Sequence, residues 1–179
     1  NYATDLFFSE YIEGASNNKA IEIYNGTGTS VDMSPYKVYL YSNGSTSPTN
    51  PVTFAPGTML AHNEVYVIVN AGANAAIQAQ ADLQSTVTYF NGDDALALIK
   101  VVDTVEQYVD IFGVIGNDPD GAANNTGWTA DGGYLTMNKT LVRKPTVTQG
   151  ISVNPPNPGI GIPTGFLTLA TEWDVYAVD

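Results

Sequence analysis

The chain has 179 residues, with 18 acidic and 6 basic side chains, and carries a formal charge of −12 at neutral pH. Apolar residues make up 44% and charged residues 13%, which describes a folded domain of low charge density, not a disordered chain. Its negative field repels phosphate backbones and anionic lipid, no apolar run reaches the ~18 residues of a membrane helix, and without cysteine there are no disulfides or thiolate sites. No nucleic-acid partner and no membrane span are therefore expected.

The predicted elements are nearly all strands. Leu6 to Ile12 alternates around Phe7, Ser9 and Tyr11. Lys19 to Tyr24 puts Ile21 and Ile23 on one face, and Lys37 to Tyr41 sets Val38 and Leu40 opposite Tyr39 and Tyr41. Glu64 to Val69 offers Val65, Val67 and Val69 against Tyr66 and Ile68. Thr86 to Phe90, Ala95 to Ile99, Thr104 to Phe112 and Thr140 to Arg143 continue the series. Period-two alternation of β-branched and aromatic residues marks half-buried strands. Asn25-Gly26, Asn43-Gly44 and Asn91-Gly92 supply the positive φ that tight turns need. Only Asn74 to Leu83 reads as a helix, capped by Asn74. The Pro-rich run from Asn154 to Gly159 is a loop, and structure resumes over Phe166 to Tyr176. With no internal repeat and no interior linker, residues 1–179 are expected to form a single domain. The expected fold is an all-β, antiparallel sandwich with one short helix. The faces Ile21/Ile23, Val38/Leu40, Val65/Val67 and Leu96/Leu98 are expected to turn into one core.

Six segments carry a resemblance in the same order along the chain. They are LFFSEYIEG (6–14), NKAIEIYN (18–25), FNGDDALALI (90–99), VDIFGVIG (109–116), TLVRK (140–144) and EWDVY (172–176). The ordered set, spanning about residues 5–177, resembles the bacterial lamin-tail domain family. That resemblance implies an immunoglobulin-like β-sandwich acting as a non-catalytic accessory module of secreted nucleases and other extracellular hydrolases. It also implies an extracellular or cell-surface location, with a signal peptide removed before Asn1. The implied role is to tether or position a partner enzyme. The partner is expected to be a protein or polysaccharide at the cell surface, and the chain itself a monomer.

Catalytic constellations are sparse. The single histidine, His62, precedes the Val65 strand in a turn with no nucleophile beside it, and the chain contains neither G-x-S-x-G nor H-E-x-x-H. Glu10, Glu13, Glu22 and the Asp93-Asp94 pair are the carboxylates available to a hydrolase. A structural role for Glu10 or Glu22, paired with Lys19, Arg143 or backbone donors, is the expectation. Arg143 is expected to point inward to a carboxylate.

Oxygen-rich turns raise the question of a metal. Asn117-Asp118-Pro119-Asp120-Gly121, with Asn124 and Asn125, carries the hard donors that calcium takes, though not at EF-hand spacing. If the chain binds an ion, calcium held by Asp93, Asp94, Asp118 or Asp120 is expected, and no other cofactor is. The aromatic residues offer a different surface. Trp128, in a Gly- and Asn-rich stretch, and Tyr39 and Tyr41, on one strand face, are the candidate rings for stacking on a sugar or a protein partner. The function expected is thus a non-catalytic binding module. The alternatives are a carboxylate- or calcium-dependent hydrolase of an extracellular polymer, and a carbohydrate-binding sandwich.

Overall fold

A computed structural model describes residues 1–121, 127–130, 134–158 and 165–178. The strands are β1 (Phe7–Glu13), β2 (Lys19–Tyr24), β3 (Val31–Asp32), β4 (Tyr36–Tyr41), β5 (Thr49–Thr53), β6 (Met59–Leu60), β7 (Val65–Val69), β8 (Leu83–Gln84), β9 (Ala95–Val102), β10 (Val105–Phe112), β11 (Thr129–Ala130), β12 (Tyr134–Leu135), β13 (Lys139–Arg143) and β14 (Trp173–Ala177). Two single-turn helices, α1 (Ala75–Gln78) and α2 (Leu169–Glu172), join them. A six-stranded sheet runs β14-β13-β1-β2-β7-β8, and a four-stranded sheet runs β10-β9-β4-β5. The pairs β11-β12 and β3-β6 form small separate ribbons. The expected all-β, immunoglobulin-like sandwich is the fold that forms. Its one parallel pairing among the described residues joins β7 to β8.

Ile21, Ile23, Val38, Leu40, Leu96 and Leu98 all turn into one core between the sheets, as their alternation predicts. Phe8, Tyr11, Phe112, Trp128 and Trp173 fill the space between them. The face predicted for β7 is wrong. Ile21 pairs with Ile68, and Ile23 with Tyr66. Cross-strand partners share a face, so Ile68 and Tyr66 turn inward, and Val65 is 39% exposed on the outside. Two further predictions fail. The Asn74 cap is real, its side chain accepting from the Ile77 amide, but the helix ends at Gln78 and Leu83 pairs as a strand. Thr86–Thr88 forms a 3₁₀ turn capped by Ser85, not a strand.

A buried polar latch joins the two sheets. Arg143 on β13 reaches across to Asp110 on β10, and its other guanidinium nitrogens hold Glu172 at 2.6 and 3.2 Å. The carboxylate of Asp110 also accepts from the amides of Phe8 at 2.9 Å and Ile151 at 2.7 Å. Arg143 donates as well to the Phe8 carbonyl at 3.2 Å and stacks 5.1 Å above the Trp173 ring. Arg143 therefore points to a carboxylate as expected. Bulges at Phe8/Glu10 in β1 and Tyr108/Asp110 in β10 turn these groups toward one another.

Candidate functional site

The turn leading into β9 splits two adjacent acids. Gly92, at φ +97, lets the chain reverse against Met137, where an added Cβ would stand 2.8 Å from the Met137 Cβ. Asp94 then folds back on the turn. Its carboxylate accepts from the amides of Asn43 at 2.7 Å and Asn91 at 2.9 Å. Asp93 faces the other way, toward the segment that follows β10. There Asp118 and Asp120 bring carboxylate oxygens to within 4.8 Å of one another and of Asp93. Gly44, at φ +72, lets the β4–β5 turn pack on this segment, since a Cβ there would lie 3.0 Å from the Asp118 amide. The amide of Gly127 donates to Asp120 at 3.0 Å and ties in the strand region beyond.

Of the four acids expected at a metal, three converge and Asp94 does not, because backbone amides already occupy both of its oxygens. Asn124 and Asn125 lie outside the described residues. Asp93 is 1% exposed, and neither of its carboxylate oxygens has a hydrogen-bond partner. Burial, then the charge of Asp94, pushes its carboxyl up to about 6, with Asp120 and Asp118 adding to the rise and its own backbone amide opposing it. One Asp118 oxygen is buried without a partner too. Lys19, the cation that draws on Asp94, is committed elsewhere. Its ammonium donates to the Phe90 carbonyl at 2.6 Å and the Asn91 side chain at 2.8 Å, and pairs with Glu13 at 3.3 Å. Below the cluster, burial and the charges of Glu13, Asp94 and Asp93 hold the Tyr11 hydroxyl far above its ordinary value. This chemistry suits a hard cation: three oxygen donors, negative charge and, among the described residues, no nitrogen or sulfur ligand.

The aromatic candidates do not form a platform. Trp128 is fully buried, its ring packed on Phe166 and its indole N–H donating to the Asp94 carbonyl at 3.1 Å. Tyr41 is 4% exposed within a small cluster of Ala95, Ala97, Ile99 and Ile111 on the outer face of the four-stranded sheet. Tyr39 remains partly exposed, its hydroxyl donating to Glu106 at 2.6 Å. His62 is a turn residue, accepting from the Gly28 amide through Nδ1 at 3.0 Å.

The remaining carboxylates surround a groove that the sequence did not reveal. Glu10 and Glu22 are cross-strand neighbours on the outer face of β1 and β2. Neither forms the lysine or arginine pair expected of it. Lys19 takes Glu13, Arg143 takes Asp110 and Glu172, and Glu22 accepts from the Ser9 hydroxyl at 2.6 Å. Helix α1 lies over this face and, with Val65 and Val67, closes an open groove of about 320 Å³. Burial, then the charge of Glu22, raises the Glu10 carboxyl above its ordinary value. The misjudged face of β7 conceals this groove in the sequence, because its outer wall is built from valines expected in the core.

Comparison with known families gives one match. The model of the Lamin Tail Domain matches residues 1–115. The chain belongs to the Lamin Tail Domain family. No curated protein matches it. Lamin-tail domains are immunoglobulin-like β-sandwiches of a structural or binding kind, and the two sheets described above conform to that architecture. Among the described residues, no helix is long and apolar enough to cross a membrane.

Proposed function

We propose that this lamin-tail domain is a non-catalytic binding module that positions a partner hydrolase, of the nuclease type, outside the cell or at its surface. The groove on the outer face of the six-stranded sheet supports this reading. Its floor carries Glu10 and Glu22, neither in an ion pair among the described residues, and its walls are Ile12, Val65, Val67, Ala76 and Ile77. Apolar walls around uncompensated carboxylates fit an extended protein segment that alternates basic and apolar side chains. A polysaccharide is the weaker partner, because burial of Trp128 and Tyr41 removes two of its three stacking rings. The test is binding of a short synthetic peptide alternating Lys and Leu to immobilised wild type and to the Glu10→Gln/Glu22→Gln double variant. The double variant is expected to bind about tenfold more weakly, the equivalent of about 1.4 kcal/mol. Equal binding by both removes the groove from the function. Turnover of a phosphodiester, phosphomonoester or glycoside above the protein-free rate overturns the non-catalytic reading.

A further inference from the structure

The geometry points to a calcium site formed by Asp93, Asp118 and Asp120, where the turn before β9 meets the segment after β10. Two independent observations carry it. The first is convergence: each of these residues brings a carboxylate oxygen within 4.8 Å of the others. The second is that Asp93 is buried to 1% exposure with both oxygens unpartnered. A buried carboxylate without a partner is costly unless it takes up a proton, and one that stays charged calls for an internal cation, donor hydrogens or a bound ion. Among the described residues, no other residue supplies either of the first two to the Asp93 carboxylate. Lys19 is held by Phe90, Asn91 and Glu13, and the nearby amides of Asn43 and Asn91 serve Asp94.

The donor set selects the ion. Carboxylate oxygens alone favour a hard cation over zinc or copper. Oxygens that all lie within 4.8 Å of one another are close enough to share one ion. Ca²⁺ accepts irregular shells of about six to eight oxygens, whereas Mg²⁺ demands near-octahedral geometry and gives up its water reluctantly, so carboxylates from two separate loops suit Ca²⁺ better. The ion neutralises mutual repulsion among the three acids. Because the ligands come from segments on either side of the β9–β10 hairpin, only the folded chain assembles them, and binding adds to stability by mass action.

Thermal unfolding at fixed ionic strength tests the site with Ca²⁺, with Mg²⁺ and with a chelator alone. At calcium about 100-fold above Kd, the wild-type midpoint is expected to rise by about 5–10 °C. Magnesium at the same concentration is expected to give a clearly smaller rise. Asp93→Asn is expected to abolish the calcium response while matching or exceeding wild-type stability in chelator, since it removes an uncompensated charge. Asp118→Asn, at a less buried position, provides a second test and is expected to lose at least about tenfold in calcium affinity by titration calorimetry. An unchanged wild-type midpoint overturns the site, as does an equal response to magnesium. So does a calcium response that survives in both variants.

Discussion

Asp110 and Asp93 are buried carboxylates in the same sandwich, and the chain treats them in opposite ways. Asp110 receives a guanidinium and two backbone amides. Neither carboxylate oxygen of Asp93 has a hydrogen-bond partner on another described residue, and the group faces two more acids. The first arrangement joins β10 to β1 and β13 and is complete within the fold. The second leaves charge that no described cation or donor on another residue neutralises. Both groups are acidic, buried and drawn from distant segments, so burial alone does not separate a structural carboxylate from a ligand-seeking one. The donors around it do.

Removing the internal cation should break the comparison most severely. Arg143→Met leaves Asp110 buried and uncompensated, and denaturant unfolding is expected to show a loss of about 3–5 kcal/mol. Pairing it with Asp110→Leu is expected to restore much of that loss. A double variant as unstable as Arg143→Met alone would show that packing around the guanidinium, not charge, does the work. A finer contrast lies between adjacent residues. Asp94→Ala strips the acceptors from the Asn43 and Asn91 amides, with an expected cost of about 1–3 kcal/mol in chelator. Asp93→Asn is expected to move stability the other way under the same conditions. If both neighbours respond with the same sign, the distinction between satisfied and unsatisfied acid fails at this turn.

The smallest expected effect is at Glu10. Its folded carboxyl sits above the ordinary 4.5, because of burial and then Glu22, so the folded chain holds this proton to higher pH than the unfolded chain. The group's favourable contribution is therefore present below the ordinary value and is lost as pH rises through the raised one. Glu10→Gln should flatten the decline in stability as pH rises above 4.5 and leave the variant slightly more stable at neutral pH. Midpoints measured across that range check it, and a decline as steep as wild type would show that Glu10 is not its source.

Much of the fold is legible in the residues. Ile21/Ile23 and Val38/Leu40 have polar or aromatic residues on the opposite face, which marks one face as core, and Leu96/Leu98 alternate with the smaller Ala95 and Ala97, so bulk marks theirs. The run Val65-Tyr66-Val67-Ile68-Val69 is apolar on both faces, and periodicity cannot choose between them. The register with β2 makes the choice, and it does so through contacts distant in sequence. Trp128 misleads for a related reason: its polar local neighbours say nothing of Phe166 or of the Asp94 carbonyl that its indole reaches. Of the acidic site, the residue types and both loops were readable. The division of labour between Asp93 and Asp94 was not, because it depends on where the amides of Asn43 and Asn91 fall.

The position of β1 sets the order in which the sandwich can close. One flank of β1 pairs with β2 a few residues later, while the other waits for β13 at Lys139–Arg143. During synthesis β1 therefore keeps an open edge until β13 has been made, and so non-local a pairing makes for slow folding. The family match ends at residue 115, yet β13, β14, Trp128 and Arg143 all lie beyond it. A fragment cut at that boundary would expose the flank of β1, lose a core tryptophan and strand Asp110 without its guanidinium. It would be an aggregation-prone half sheet, so the boundary of the recognisable sequence falls well inside the boundary of the cooperative unit.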